Sequence, residues 1–529
     1  MQTSSLLKKS LAVGIILLFI GTAIIPSNGQ KIEKSSLPAS RGHWLYVGGS
    51  GPGNYTRIQD AIDNASNGDT VFVYDDSSPY HEHIVINTSV SLIGEDRNTT
   101  IIQGNNFGDS VIEVNVNASI SELTIEKYNH ESTGIYVRSY YIYCTIDNNI
   151  IRNCYAGIAL TNFNIVQNNE IYNCTKGIAG YDSSNIIKHN IIHNNSWYGI
   201  IFYIGSNNVI TQNIITHNAE SGIGFLYPQE NLISNNVITS NRYGITDSIY
   251  YSGNRYKYNI VLDNSRYGFY MRGENASVIG NVIGFNGEYG IYATDGSNNT
   301  HVFHNNFIEN SVHAYDDGFS NYWDDGYPSG GNYWDDYNGS DSNGDGIGDI
   351  PYNIPGGGYS QDRYPLMNSW EHKLPVANFT YTINQLSATF NASSSYDSDG
   401  YITSWLWDFG DGAEGAGEII THDYLSSGTY LVTLTVVSDD GDEASITREI
   451  TVEKSGYQEA FIFGRLTNFS SQEDYITFQA VKIRVITFKP FSFHKYVSGE
   501  MCIISKAYLG LLNDRYIFAL CKIMIHMKI

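Results

Sequence analysis

Basic residues are scarce in this 529-residue chain: 30 Lys and Arg stand against 54 Asp and Glu, leaving a formal charge of −24 at pH 7. A nucleic-acid binder needs a basic face to neutralise phosphates, so that class is excluded. Five cysteines are too few for a disulfide scaffold at this length, and none has the CxxC spacing of a zinc site. Beyond the N-terminus no apolar run is long enough to span a bilayer; the closing run Tyr516 to Ile529 is interrupted by Lys522, His526 and Lys528. What is abundant is Gly (51), Tyr (42) and, through the middle of the chain, Asn. Gly and Asn suit repeated sharp turns, whereas a helical bundle draws on Ala, Leu, Glu and Lys. With 42% hydrophobic residues the chain can bury a core, and its length fits three to four domains of roughly 150 residues.

Lys8-Lys9, the apolar run Leu11 to Ile20 with its extension to Ile25, and the small or polar Ser27-Asn28-Gly29 read as a secretory signal over residues 1–29. The alternative is an uncleaved N-terminal anchor. Either way the body is expected outside the cell or on its surface.

A repeat organises the middle of the chain. A Gly before an apolar pair recurs at Gly134, Gly157, Gly177, Gly199, Gly222, Gly244, Gly268 and Gly290, in steps of 20 to 24 residues. An Asn keeps pace at Asn149, Asn169, Asn190, Asn213, Asn236, Asn259, Asn281 and Asn306, and a second follows from Asn153, Asn173 and Asn194 through Asn264, Asn286 and Asn310. About 22 residues hold three short strands and three turns, too few for a helix-containing repeat. Stacked coils pair each strand with its copies above and below, which gives an all-β, right-handed parallel β-helix. Gly is expected to permit a tight corner, and Asn to accept φ > 0 while bonding its copies. Asn54 to Ala65 is amphipathic and reads as a capping helix.

The run from Tyr46-Val47-Gly48-Gly49 through Asp69-Thr70-Val71 to Ile93-Gly94-Glu95, with the coils after it, resembles the pectin-lyase-like superfamily, and within it NosD-type carbohydrate-binding and sugar-hydrolase repeats. The resemblance spans about residues 41–365. It implies the fold, but that fold hosts lyases, hydrolases, epimerases and non-enzymatic binders.

After the coils, NYWDD occurs at Asn321–Asp325 and Asn332–Asp336, and DSNGDGIGD follows from Asp341 to Asp349. Asp341, Asn343, Asp345 and Asp349, with the carbonyl of Ile347 and intervening glycines, have the spacing of a hard-cation loop. It resembles the calcium loops of dockerins and thrombospondin type 3 repeats, but Tyr352 stands where a full EF-hand carries Glu. A structural Ca²⁺ is expected here; the alternative is a solvated Asp/Gly turn.

Residues 375–454 change to alternating strands and read as an Ig-like β-sandwich. Trp407-Asp408-Phe409-Gly410-Asp411-Gly412, His422-Asp423-Tyr424 and Gly428-Thr429-Tyr430 resemble the signature of a PKD-type domain, a spacer or adhesion module. Residues 456–529, with nine basic residues against five acidic, read as a small β-rich module.

An enzyme on this scaffold needs carboxylates with a base or cation on one face. The candidates are scattered: Asp147, Glu170, Asp182, Asp247, Asp263, Arg138, Arg242, Arg266 and Arg272. His189, His193, His217, His301 and His304 are expected to be polar turn residues rather than a copper or zinc cluster. Cys154 and Cys174, one coil apart, are either bonded or a buried stack. Twelve tyrosines between Tyr198 and Tyr292 fall in successive coils, where exposed rings could stack on sugars; Tyr198, Tyr243, Tyr267 and Tyr289 are the expected carbohydrate-binding residues. The favoured reading is an exported protein binding polysaccharide or surface glycan. Its rivals are a polysaccharide lyase, hydrolase or epimerase with an unrecognised site, and a NosD-like copper-maturation role.

Overall fold

The computed structural model describes residues 42–453 apart from 105–109, 128–130, 140, 228, 248–251, 399 and 440–441, together with the backbone of strands between Phe461 and Met527. The segment read as a signal, residues 1–29, lies outside the described residues.

Each coil consists of three short strands in fixed order, as in Cys144–Asp147, Ile150–Arg152 and Ala156–Leu160. Stacking yields three parallel sheets: sheet A with 12 strands from Trp44–Val47 to His301–Phe303, sheet B with 12 from Tyr80–His81 to Tyr333–Trp334, and sheet C with 11 from Ile84–Ile86 to Val312–Asp316. Register is fixed because one column of each sheet is apolar and points inward. In sheet C it runs Ile135, Ile158, Ile178, Ile200, Ile223 and Ile245, all buried. β-branched side chains suit this pleated, close-packed interior.

The corners explain the asparagines. Each corner turns on one residue with positive φ, such as Asn148, Asn153 and Phe163, followed at once by an inward-pointing residue. At the A–B corner those inward residues form a buried amide ladder from Asn149 to Asn332. Asn213 shows the bonding: its N–H and Nδ2–H both donate to Asn236 Oδ1 at 3.0 and 2.9 Å, and Nδ2 also donates to the Ile187 carbonyl at 2.9 Å. The φ > 0 role and the ladder role thus belong to neighbouring residues, not to one Asn as expected.

That division corrects the register in two places. Asn305, not Asn306, continues the first ladder; the Asn306 amide instead exchanges two 2.8 Å hydrogen bonds with the backbone of Trp370. Asn153, Asn173 and Asn194 are the positive-φ residues of the B–C corner, and the ladder positions there are Cys154, Cys174, Asn195, Asn218, Asn241, Asn264, Asn286 and Asn310. The two cysteines are free and buried, a stack rather than a disulfide. A third ladder, Asn164–Asn185–Asn208–Asn231–Asn254, lines the C–A corner.

The recurrent glycines are not corners either. They sit inside sheet C strands, where a Cβ on Gly244 would lie 2.5 Å from both the Gly268 carbonyl oxygen and Val261 Cγ1. Close approach of the next coil is what requires Gly.

Helix Ile58–Asp63 buries Ile58, Ala61 and Ile62 on the first coil. At the other end the two NYWDD segments are the last rungs: Asn332 ends the A–B ladder, Asn321 accepts from the Thr300 N–H at the C–A corner, and Trp323 and Trp334 fill the open end and donate to Asp316 and Asp362. Trp370 and His372 stack back on Tyr258, so this unit runs to His372.

The second unit begins with a sandwich of three strands (Thr380–Asn384, Ser387–Asn391, Ile419–Asp423) and four (Glu414–Ala416, Ile402–Asp408, Gly428–Ser438, Glu443–Val452). Its core is built from Phe379, Phe390 and Trp407 with Val432, Leu434 and Val436, the inward-facing row of strand Gly428–Ser438. The signature residues hold its turn: Phe409 stacks on His422 at 4.1 Å, His422 pairs with Asp411 at 2.9 Å, and the Tyr424 hydroxyl donates to the Phe409 carbonyl at 3.2 Å. Beyond it, strands from Phe461–Phe463 to Met524–Met527 pair antiparallel in twos, a small β-rich module as expected. No helix among the described residues is long and apolar enough to cross a membrane.

Candidate functional site

The outer face of sheet C is where aromatic side chains gather, because the first and fourth residues of each strand point outward there. The first-position column reads Lys176, Tyr198, Ser221, Tyr243, Tyr267, Tyr289, Val312, and the fourth ends in Tyr270, Tyr292 and Tyr315. Tyr243, Tyr267 and Tyr289 are therefore in register one coil apart, as their spacing before the ladder glycines predicts. They are not free-standing platforms. Tyr267 is only 9% exposed, and its ring packs on Tyr243, Tyr270, Tyr289 and Tyr292 at 5.3 to 5.9 Å. Arg266 ties this zone together, bonding the Tyr243 and Tyr267 hydroxyls at 2.8 and 2.9 Å and pairing with Glu288 at 2.7 Å. That pairing holds the Glu288 carboxyl below its usual range.

Exposed rings lie toward the N-terminal side of the same face. Tyr155 (43% exposed), Tyr181 (40%) and Trp197 (41%) surround a floor of Ala156, Ala179 and Ile201, with Tyr198 and Tyr203 beside it. Lys176 is the centre. Its ammonium sits over the faces of Tyr155, Trp197 and Tyr203 at 4.4, 5.2 and 5.3 Å, and donates to the Tyr155 hydroxyl at 2.9 Å. Tyr181 lies parallel on Tyr203 at 5.0 Å. Chain-order spacing did not reveal this group, since Tyr155, Tyr181, Trp197 and Tyr203 flank the strands rather than occupy the repeating position. The signal available was the clustering of aromatics around the one lysine of that column.

The scattered acids and cations separate. On the outer face of sheet B, Arg152 pairs with Glu126 at 2.8 Å and bonds the Tyr172 hydroxyl at 3.0 Å, while His193 stacks on Tyr172 and meets Glu170 at 3.4 Å. The His193 contact lowers the Glu170 pKa. Asp147 bonds Asn168, Asp182 caps its own turn, and Asp263 is a positive-φ corner. Arg138 and Arg242 pair with Glu113 and Glu220. Asp247 lies inside the stack, where burial pushes it up to about 6 and Tyr256 and Asn254 bond it. His189, His217 and His304 are positive-φ corners, as expected of turn residues, whereas His193 and His301 are strand residues, His301 stacking on Tyr322.

The acidic loop curls around Asp341. Its carboxylate accepts from the N–H groups of Gly344, Asp345 and Gly346 at 2.7, 3.3 and 2.9 Å, while Asp345 accepts from Ile347 and Asp349 from Ser342. Gly344 and Gly346 have φ of +74° and +88°, which L side chains rarely adopt. The donors are all oxygen, so the residues fit a hard cation by chemistry.

Comparison with known proteins gives three family matches: residues 62–248 with the family described as periplasmic copper-binding protein (NosD), 177–326 with the right-handed beta helix region, and 372–453 with the PKD domain. Among curated proteins the chain is similar to pre-pro-metalloprotease PrtV of Vibrio cholerae, 42% identical over 83 residues covering 16% of this chain and 9% of the relative. Collagenase ColQ1 of Bacillus cereus is 36% identical over 93 residues, 17% of this chain and 10% of the relative. The chain thus spans about a tenth of the length of these relatives. Among solved structures, the PKD1 domain of Vibrio anguillarum Epp is 37% identical, with 16% of this chain and 99% of that one covered and a TM-score of 0.16. The A-module of the Azotobacter vinelandii mannuronan C-5 epimerase AlgE6 is 14% identical, with 50% and 92% covered and a TM-score of 0.37.

Proposed function

This chain carries a right-handed β-helix with a NosD-type region, followed by a PKD domain, a combination that fits a surface or adhesion protein; from that premise we propose that it is exported and binds polysaccharide or surface glycan along the outer face of sheet C. The observation that carries the reading is the group of exposed rings at Tyr155, Tyr181 and Trp197 around Lys176. Aromatic faces offer apolar contact to sugar rings, and hydroxyl and ammonium groups beside them take sugar hydroxyls. A stack of coils repeats such groups along its axis, as a polysaccharide repeats its units. The half-buried tyrosines Tyr198, Tyr243 and Tyr289, with the buried Tyr267 between them, extend the same face.

Glycan chemistry is the second reading, favoured by Glu126, Arg152, Glu170, Tyr172 and His193 meeting on sheet B. A glycosidase pair needs one carboxyl raised to act as acid. On that face the His193 contact moves the Glu170 carboxyl down, the direction opposite to an acid's, and among the described residues the carboxyls that burial pushes up to about 6, Asp247 and Asp362, lie inside the stack and its cap. Binding is therefore preferred. Incubating the full chain with a panel of retained polysaccharides tests this: binding with no new reducing ends and no unsaturated uronates supports it, and either product overturns it.

In the acidic loop, Asp341, Asn343, Asp345, Asp349 and the Ile347 carbonyl would hold Ca²⁺ and fix the loop. Its role is structural.

A further inference from the structure

We propose that His313, Asp335 and Asp336 form a binding site for a divalent first-row metal ion of the zinc type at the C-terminal end of the β-helix, separate from the acidic calcium-type loop. His313 belongs to the last sheet C strand, Val312–Asp316; the two aspartates follow strand Tyr333–Trp334 of sheet B. His313 Nε2 lies 2.9 Å from Asp335 Oδ1 and 3.5 Å from Asp336 Oδ1, and all three atoms fall within 4.8 Å of one another. Metal–ligand bonds of about 2.0–2.2 Å at tetrahedral or octahedral angles place donors roughly 3–3.5 Å apart, so the trio needs little movement to close on an ion.

The other atom of each ligand is already engaged. Asp335 Oδ2 accepts from the Glu309 N–H at 3.0 Å, and Asp336 Oδ2 accepts from the Tyr352 hydroxyl at 3.2 Å. His313 Nδ1 lies 3.4 Å from Asn310 Nδ2, a contact at the limit of a hydrogen bond, and that amide also donates to the Ile283 carbonyl at 2.8 Å. The bonds from Glu309 and Tyr352 are outer contacts of the kind that orient metal ligands. The imidazole ring stands tilted beside the stacked pair Phe307 and Trp334, 6.1 Å from each. His313 is buried while Asp336 is exposed, which gives an ion a route in and leaves coordination positions for water. In the metal-free protein a proton links Nε2 and Asp335 Oδ1; an ion would take that place, the neutral ring then carries its proton on Nδ1, and the 3.4 Å contact with the Asn310 amide has to open. One imidazole with two carboxylates favours Zn²⁺ or its neighbours over Ca²⁺, whose ligands are oxygens. An ion here would tie the last coil to the cap.

The test uses the full chain, stripped by chelator and returned to buffer with excess Ca²⁺ so that the acidic loop is served in every sample. Zinc uptake is read by calorimetry and by metal analysis after desalting. The site predicts one tightly bound zinc per chain, a raised Tm, and at least tenfold weaker binding in Asp336→Asn, whose zinc-free Tm stays that of the wild type. His313→Asn should abolish the uptake, and Asp345→Ala should leave it intact. No uptake, equal uptake by wild type and Asp336→Asn, or uptake lost in Asp345→Ala instead would each overturn the proposal.

Discussion

A single amide shows how the stack is held. Asn213 receives the N–H and Nδ2–H of Asn190, both at 3.0 Å, and passes two bonds on to Asn236. Asn213→Leu keeps the volume but strands those donors in the interior, so a loss of about 1–3 kcal/mol is expected, read as a lower midpoint in denaturant. The burial of this column was legible in the sequence because its period matched that of the glycines. What was not legible was the division of labour within the corner: the αL residue and the ladder residue are adjacent, both are often Asn, and a one-residue ambiguity placed Asn306 in a column that belongs to Asn305. Asp247 gives a second residue-scale test. Burial raises its pKa to about 6, above the ordinary value near 4. The folded state therefore holds the proton more tightly than the unfolded one; its stabilising effect is complete below about pH 4 and is lost as pH rises through about 6. Melting curves should show the wild type losing stability across that window relative to Asp247→Asn.

At the scale of elements, the cap carries its own logic. Trp334 lies between Phe307 and Tyr352, each 4.2 Å away and nearly parallel, and its indole N–H reaches Asp362 at 2.9 Å. Trp334→Ala removes that plug and should cost about 3–5 kcal/mol, measured by chemical denaturation. The repeated NYWDD marked this segment in the sequence, but its function as two final rungs depends on Asn332 entering a ladder begun far upstream and on Asn321 meeting Thr300 one coil before it, which no local pattern shows. The neighbouring loop makes a different prediction. If Ca²⁺ fills it, chelation lowers the Tm and Asp345→Ala removes most of that response, because an ion that binds only the folded state stabilises it by mass action. Identical melting curves with calcium and with chelator would leave an ordinary acidic turn.

For the whole molecule, the β-helix is a rod of stacked coils whose three faces differ in what they present. Composition and period were enough to specify the rod, since only parallel stacking satisfies a 22-residue repeat of short strands. They did not specify the face, because exposure depends on which rings cover one another: Tyr267 sits in the repeating position yet is buried by its neighbours, while Trp197 and Tyr155 lie off the repeat and remain open. The most direct test is equilibrium binding of the full chain to a retained polysaccharide, comparing wild type with Tyr155→Ala/Trp197→Ala and with Tyr243→Ala/Tyr267→Ala. Each lost ring contact is worth about 1 kcal/mol, roughly fivefold in affinity. The account predicts a clear loss of affinity in the first pair with an unchanged Tm, and a smaller loss in the second; undiminished binding in both variants would contradict it.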